Sequence, residues 1–146
     1  METHSDFRKV RDIMTSTPAA VRPGMSVREL QQMFANLDYN AFPVVDEAGA
    51  LRGIVTKLDV LRIYRPDPLR DTPELEGIRA QSVADVMRPG VVTLEPDDPL
   101  VAAVDLMVES RLQSLPVVER RHGAGPALVG MVSRGDLLRA LSQEVG

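Results

Sequence analysis

Two short segments of the chain pair a hydroxyl with a carboxylate three residues later: Thr56-x-x-Asp59 and Ser133-x-x-Asp136. A carboxylate can accept hydrogen bonds from two adjacent hydroxyls at once, as on a sugar, and the Thr or Ser hydroxyl can add a third bond to sugar or phosphate. Lys57 and Arg134 follow the hydroxyls at matching positions. Together with the free N–H groups of a helix start, they offer positive charge to a phosphate. The same spacing is also a capping box, in which hydroxyl and carboxylate serve the first turn of a helix. Ser26-x-x-Glu29 and Ser82-x-x-Asp85 have that form too. Local pattern leaves both roles open, and one residue pair can fill both.

Other chemistry is poorly supplied. The chain has no nucleophile–base pair, HExxH zinc pattern, Walker loop or GxGxxG element, so it is not expected to be an enzyme. Its zero cysteines exclude a disulfide framework, thiol catalysis and Cys-based zinc sites. His4 and His122 are the only histidines, too few for a His-rich metal site, and no cofactor is required. A net charge of −4 and 3% aromatic residues argue against a nucleic-acid coat. No apolar run is long enough to span a membrane, and the polar stretch after Met1 lacks the apolar core of a secretory leader. A cytoplasmic location is expected. With 44% apolar and 26% charged residues, the 146-residue chain has the balance of a globular protein.

The elements that must position these residues come as a repeat. An offset of 73 aligns Val10, Asp12 and Met14 with Val83, Asp85 and Met87, then Pro43-Val44-Val45 with Pro116-Val117-Val118. Beyond these the offset becomes 77, matching Leu51, Gly53, Val55, Asp59, Leu61 and Arg62 with Leu128, Gly130, Val132, Asp136, Leu138 and Arg139. The four extra residues fall in the loop 120–126, where insertion costs little. Each copy reads as strand, helix, strand, strand, helix.

In the first copy, Val27, Leu30, Met33, Phe34 and Leu37 form an apolar stripe at helical spacing behind Ser26. Phe42–Val45 and Leu51–Val55 form a hairpin turned by Asp46–Gly49. Lys57–Tyr64 is helical, with Leu58, Leu61 and Val60 facing inward. In the second copy, Val91–Leu94 is a strand, Asp98 an N-cap and Pro99 a first-turn residue. Leu100, Ala103, Val104, Met107 and Val108 form the buried stripe. Leu115–Val118 and Leu128–Val132 make the hairpin, and Arg134–Leu141 closes the copy as a helix. Three prolines in Arg65–Pro73 mark a stiff linker, with a short helix following from Pro73. The expected division is 1–64 for the first unit with its N-terminal segment, 65–81 for the linker, and 82–146 for the second unit.

The matching segments Gly53-Ile54-Val55-Thr56-Lys57-Leu58-Asp59 and Gly130-Met131-Val132-Ser133-Arg134-Gly135-Asp136, each preceded by Pro-Val-Val and a hairpin, resemble the cystathionine-β-synthase (CBS) domain. The resemblance covers nearly all of residues 10–142 and reads the chain as a stand-alone tandem pair, or Bateman module. It implies an α/β (α+β) fold of two pseudo-symmetric β-α-β-β-α units packed sheet to sheet. It also implies an adenosine ligand (AMP, ADP, ATP or S-adenosylmethionine), a homodimer, and regulation of an unidentified protein partner. Asp59 and Asp136 are then the ribose acceptors, with Thr56 and Ser133 beside them and Lys57 and Arg134 near the phosphate. By the same resemblance the adenine slot is lined by Thr17, Pro18 and Ala19 with Ala41 and Phe42, and by Gly90, Val91 and Val92 with Ser114 and Leu115. Asn40, Ala41, Gln113 and Ser114 carry no charge where some nucleotide-sensing relatives place basic residues, which weighs against tight multi-phosphate binding. A ligand-free dimerisation or scaffold module is the rival reading, and nucleic-acid binding a third that the charge disfavours.

Overall fold

The computed structural model describes residues 8–66 and 74–143. Residues 67–73 of the proline-rich linker, His4 and the last three residues lie outside them. The elements run in the order α1 (Val10–Ile13), α2 (Val27–Asn36), β1 (Ala41–Val45), β2 (Leu51–Thr56), α3 (Lys57–Ile63), α4 (Leu75–Arg79), α5 (Val83–Val86), α6 (Leu100–Ser110), β3 (Ser114–Glu119), β4 (Ala127–Ser133) and α7 (Arg134–Ser142). The two antiparallel hairpins, β1–β2 and β3–β4, carry matching irregularities, at Val44/Val45 and at Val117/Val118. Two copies of one mixed helix-and-strand unit are thus present.

The first strand of each copy is reduced to a single bridge. Leu94 pairs in parallel with Val117, and Val21 with Val44. Of the predicted strand Val91–Leu94 only its last residue pairs. The reason lies in the facing strand. The Leu94 N–H donates to the Pro116 carbonyl at 2.9 Å, and the Val118 N–H to Leu94 at 2.8 Å. The next bond along would need an N–H from Pro116, which has none. Pro43 cuts the ladder in the same way in the first copy.

The compact units differ from the sequence division. One takes in Ala19–Val91; the other joins the described part of Met1–Pro18 to Val92–Gly146. In the first unit the core comprises Val21, Val27, Leu30, Phe42, Val44, Val55, Val60 and Val83. Val83, on α5, is fully buried there, and its N–H donates to the Met25 carbonyl at 2.8 Å. In the second unit Val10, on α1, is fully buried beside Leu94, Leu100, Leu115 and Val132, and its N–H donates to the Asp98 carbonyl at 2.8 Å. The turn that opens each sequence copy therefore completes the core of the other. Burying a valine contributes roughly 1.5–3 kcal/mol, which fixes these single-turn helices where their own length could not.

Local predictions fare unevenly within this frame. Ser26 caps α2, its hydroxyl accepting the Glu29 N–H at 3.1 Å. Asp46 closes the first hairpin by accepting the N–H groups of Ala48 and Ala50 at 2.9 and 3.0 Å, with Gly49 at φ +81°. The Ala50 bond chiefly, against some desolvation and aided by Ala48 and Arg52, holds the Asp46 carboxyl below its usual range. Asp98 is not the cap of α6: its carboxylate takes the Glu95 N–H at 2.8 Å, and Pro99 occupies the cap position. In α3 the buried residues are Asp59 and Val60, whereas Leu58 and Leu61 are exposed. Val108 and Leu37 are likewise exposed rather than part of the core stripes. Leu37 ends α2 in extended conformation, and the apolar face of α6 is wider than the core it covers.

Candidate functional site

Both hydroxyl–carboxylate pairs sit where a hairpin strand runs directly into a helix. Ala41 lies opposite Thr56 and Ser114 opposite Ser133. The N–H of Lys57 donates to Asn40 at 3.1 Å, and that of Arg134 to Gln113 at 2.9 Å. The residues just before Pro-Val-Val are thus brought beside the helix start in each copy.

At α3 the capping box is complete. The Thr56 hydroxyl accepts the Asp59 N–H at 3.1 Å, while Asp59 Oδ2 accepts the Thr56 N–H and hydroxyl, both at 2.9 Å. Asp59 Oδ1 accepts Arg88 Nε at 2.9 Å and Arg62 Nη1 at 3.5 Å. The carboxylate is nearly enclosed, with its side chain 4% exposed. Arg88 escaped the sequence reading. Its signal is the repeat itself: the 73-residue offset sets Arg88 against Thr15, a charge for a hydroxyl beside the matched pair Met14/Met87.

At α7 the same box is more open. The Ser133 hydroxyl accepts the Asp136 N–H at 3.0 Å, Asp136 Oδ2 accepts the Ser133 N–H at 2.8 Å, and Oδ1 accepts Arg139 at 2.6 Å. The Asp136 side chain is 17% exposed. Arg134, predicted for a phosphate, bends back over the left-handed end of α6. Its guanidinium donates to the Leu112 and Arg111 carbonyls at 3.0 and 2.8 Å. That satisfies acceptors a helix end leaves free. The Lys57 side chain is exposed and has no hydrogen-bond or ion-pair partner among the described residues.

The residues expected around an adenine differ in access. Phe42 and Leu115 are fully buried; Phe42 packs against the Phe34 and Tyr39 rings at 4.8 and 5.4 Å. Ala41 is buried, Ser114 and Ala19 half-buried, and Thr17 and Val92 exposed. Thr17 and Val92 belong to one compact unit, Ala19 to the other. A separate groove of about 340 Å³ lies between α6 and α7, lined by Val104, Met107, Val108, Leu137, Leu138 and Leu141 among others. No group of metal-ligating side chains occurs among the described residues, and no helix there is long and apolar enough to cross a membrane.

Comparison with known proteins agrees with this architecture. The family model for the CBS domain matches residues 10–66 and 83–143. A CBS domain-containing protein of Dictyostelium discoideum is 36% identical over 115 residues, covering 77% of this chain and 75% of its own. The crystal structure of CBSX2 in complex with AMP superposes with a TM-score of 0.77 at 27% identity, covering 93% of this chain and 97% of that one. The homoserine O-acetyltransferase of Methanococcoides burtonii is 28% identical over 132 residues, 90% of this chain; the chain spans only 24% of that enzyme's length. With two copies matched by one family model across most of its length, the chain belongs to the CBS domain family.

Proposed function

We propose that the chain is a regulatory module that binds an adenosine ligand and acts through a partner protein. The observation that carries this reading is the open carboxylate of Asp136, set beside Ser133 at the end of a hairpin, in a chain whose fold matches a CBS protein crystallised with AMP. The ribose diol donates to the aspartate, the hydroxyl residue adds a bond, and the purine lies against small or apolar residues of the same unit: Val92 and Ser114 beside Asp136, with Ala19 and Ala41 as their counterparts in the other unit. Thr17 and Leu115 complete the proposed set in the unit of Asp136; Phe42, Thr56 and Asp59 are the counterparts in the other unit, where the carboxylate already has four donors. The Arg134 guanidinium already serves two carbonyls, so a phosphate beside Asp136 draws on it only by displacing them; Lys57 is its counterpart in the other copy. A ligand shifts a conformational equilibrium only by its difference in affinity for the two states, and the partner reads that shift. The exposed apolar residues Val101, Val108, Leu138 and Leu141 on α6 and α7 support a homodimer.

Isothermal titration with AMP, ADP, ATP and S-adenosylmethionine tests the reading. Micromolar binding of one of them supports it. Absence of heat and of thermal stabilisation at millimolar ligand refutes it and leaves the scaffold reading, which the internally satisfied Asp59 favours. Sedimentation as a 16.0 kDa species at micromolar concentration refutes the dimer.

A further inference from the structure

We propose that the two hydroxyl–carboxylate sites are not equivalent: Arg88 locks Asp59, and Asp136 alone receives the ligand, so each chain takes one adenosine ligand. The stoichiometry rests on the adenosine reading above; the lock does not. An ionised carboxylate offers about four acceptor positions. In Asp59 all are taken, by the Thr56 N–H and hydroxyl on one oxygen and by Arg88 and Arg62 on the other. In Asp136 two are taken, by the Ser133 N–H and by Arg139. A vicinal diol needs two. Only Asp136 has them to give.

The difference comes from one position in the repeat. Both helices carry an arginine three residues after the aspartate, Arg62 and Arg139, so that contact is shared. Both hairpins are also bridged by a residue that follows a single-turn helix, Ile54 by Arg88 after α5 and Met131 by Thr15 after α1. The bridge brings the backbone of residue 88 or 15 alongside the strand that leads into the aspartate's helix. From there the Arg88 guanidinium reaches Asp59. The Thr15 hydroxyl is exposed and makes no hydrogen bond among the described residues. To bind at Asp59, a ribose must displace a charge-assisted bond to a buried carboxylate, which weakens binding about ten- to a hundredfold.

The test is titration of the full chain with AMP, comparing wild type, Asp136→Asn, Arg88→Met, Arg88→Met/Asp59→Asn and Thr15→Arg. The expected results are one AMP per chain in wild type, its loss in Asp136→Asn, two per chain in Arg88→Met, and one again in the double variant. Thr15→Arg places the lock in the second copy on an exposed site, and should weaken AMP about tenfold or more even where Arg88→Met folds poorly. Two equivalent sites in wild type, a site that survives Asp136→Asn, or unchanged affinity in Thr15→Arg overturns the proposal. If AMP gives no heat with any of the proteins, the adenosine reading fails and takes the stoichiometry with it. The lock is then judged by urea unfolding of Arg88→Met, Asp59→Asn and their combination. Coupling of about tenfold or more in the unfolding constant supports the lock, and additivity overturns it.

Discussion

Replacing Gly53 with alanine asks how tightly the bridge to Arg88 is built. A Cβ at this position would stand 2.5 Å from the Arg88 carbonyl oxygen, 3.2 Å from its carbon and 3.1 Å from the Met87 sulfur. The oxygen belongs to the backbone and cannot rotate aside. It also accepts the Ile54 N–H at 3.0 Å, while Ile54 accepts the Arg88 N–H at 2.8 Å. Relieving the clash therefore stretches both bonds. Overpacking costs about 1–3 kcal/mol and each weakened hydrogen bond about 1 kcal/mol; the stiffer unfolded chain offsets about 0.4–1 kcal/mol. The expected loss is about 2–4.5 kcal/mol, or roughly 4–18 °C in Tm for a chain of this size. Calorimetry of Gly53→Ala and Gly77→Ala decides the matter. Gly77 lies inside α4 with nothing within 4 Å of a Cβ. Its substitution should therefore raise stability by up to about 1 kcal/mol. A Gly53→Ala protein melting within 2 °C of wild type (about 2 °C being the least expected for 1 kcal/mol) refutes the close-approach argument, as does an equal loss in Gly77→Ala.

Three further outcomes follow from the same contacts. Arg134→Ala should cost the ligand-free protein about 1 kcal/mol by freeing the Arg111 and Leu112 carbonyls, whereas exposed Lys57→Ala should stay within about 0.5 kcal/mol; urea unfolding compares them. Ser133→Ala should lose about 1 kcal/mol with the cap of α7, measured in the same way. The folded Asp46 carboxyl titrates below its ordinary value of 3.8, so its stabilisation is present above that pH and is lost as pH falls through the lower folded value. Tm measured from pH 5 down to pH 3 (a window bracketing the ordinary carboxylate range) should fall more steeply in wild type than in Asp46→Asn.

The legible features were local ones. Hairpin strands, the Asp46 turn and the hydroxyl–carboxylate pairs are each written within a few residues, and the repeat checks the strands and the pairs against a second copy. Burial was harder to read. Leu58, Leu61 and Val108 are apolar at helical spacing, but periodicity does not show whether anything covers the apolar face. Arg88 meets Asp59 across 29 residues of sequence, a distance no local pattern spans. The short ladders depended on a missing N–H in a neighbouring strand, which strand propensity does not register.

The trading of opening turns between the copies sets where the chain can be cut. A fragment of 82–146 keeps the whole second repeat as sequence, yet leaves behind Val10 and its bond to Asp98, so it begins with a hole in its interior. It also carries Val83, a plug with no socket of its own. The contiguous piece 19–91 has neither defect. Cutting at the family boundary thus yields two damaged halves, each holding the part the other needs. Such halves are suited to reassembly in trans, as in a domain swap.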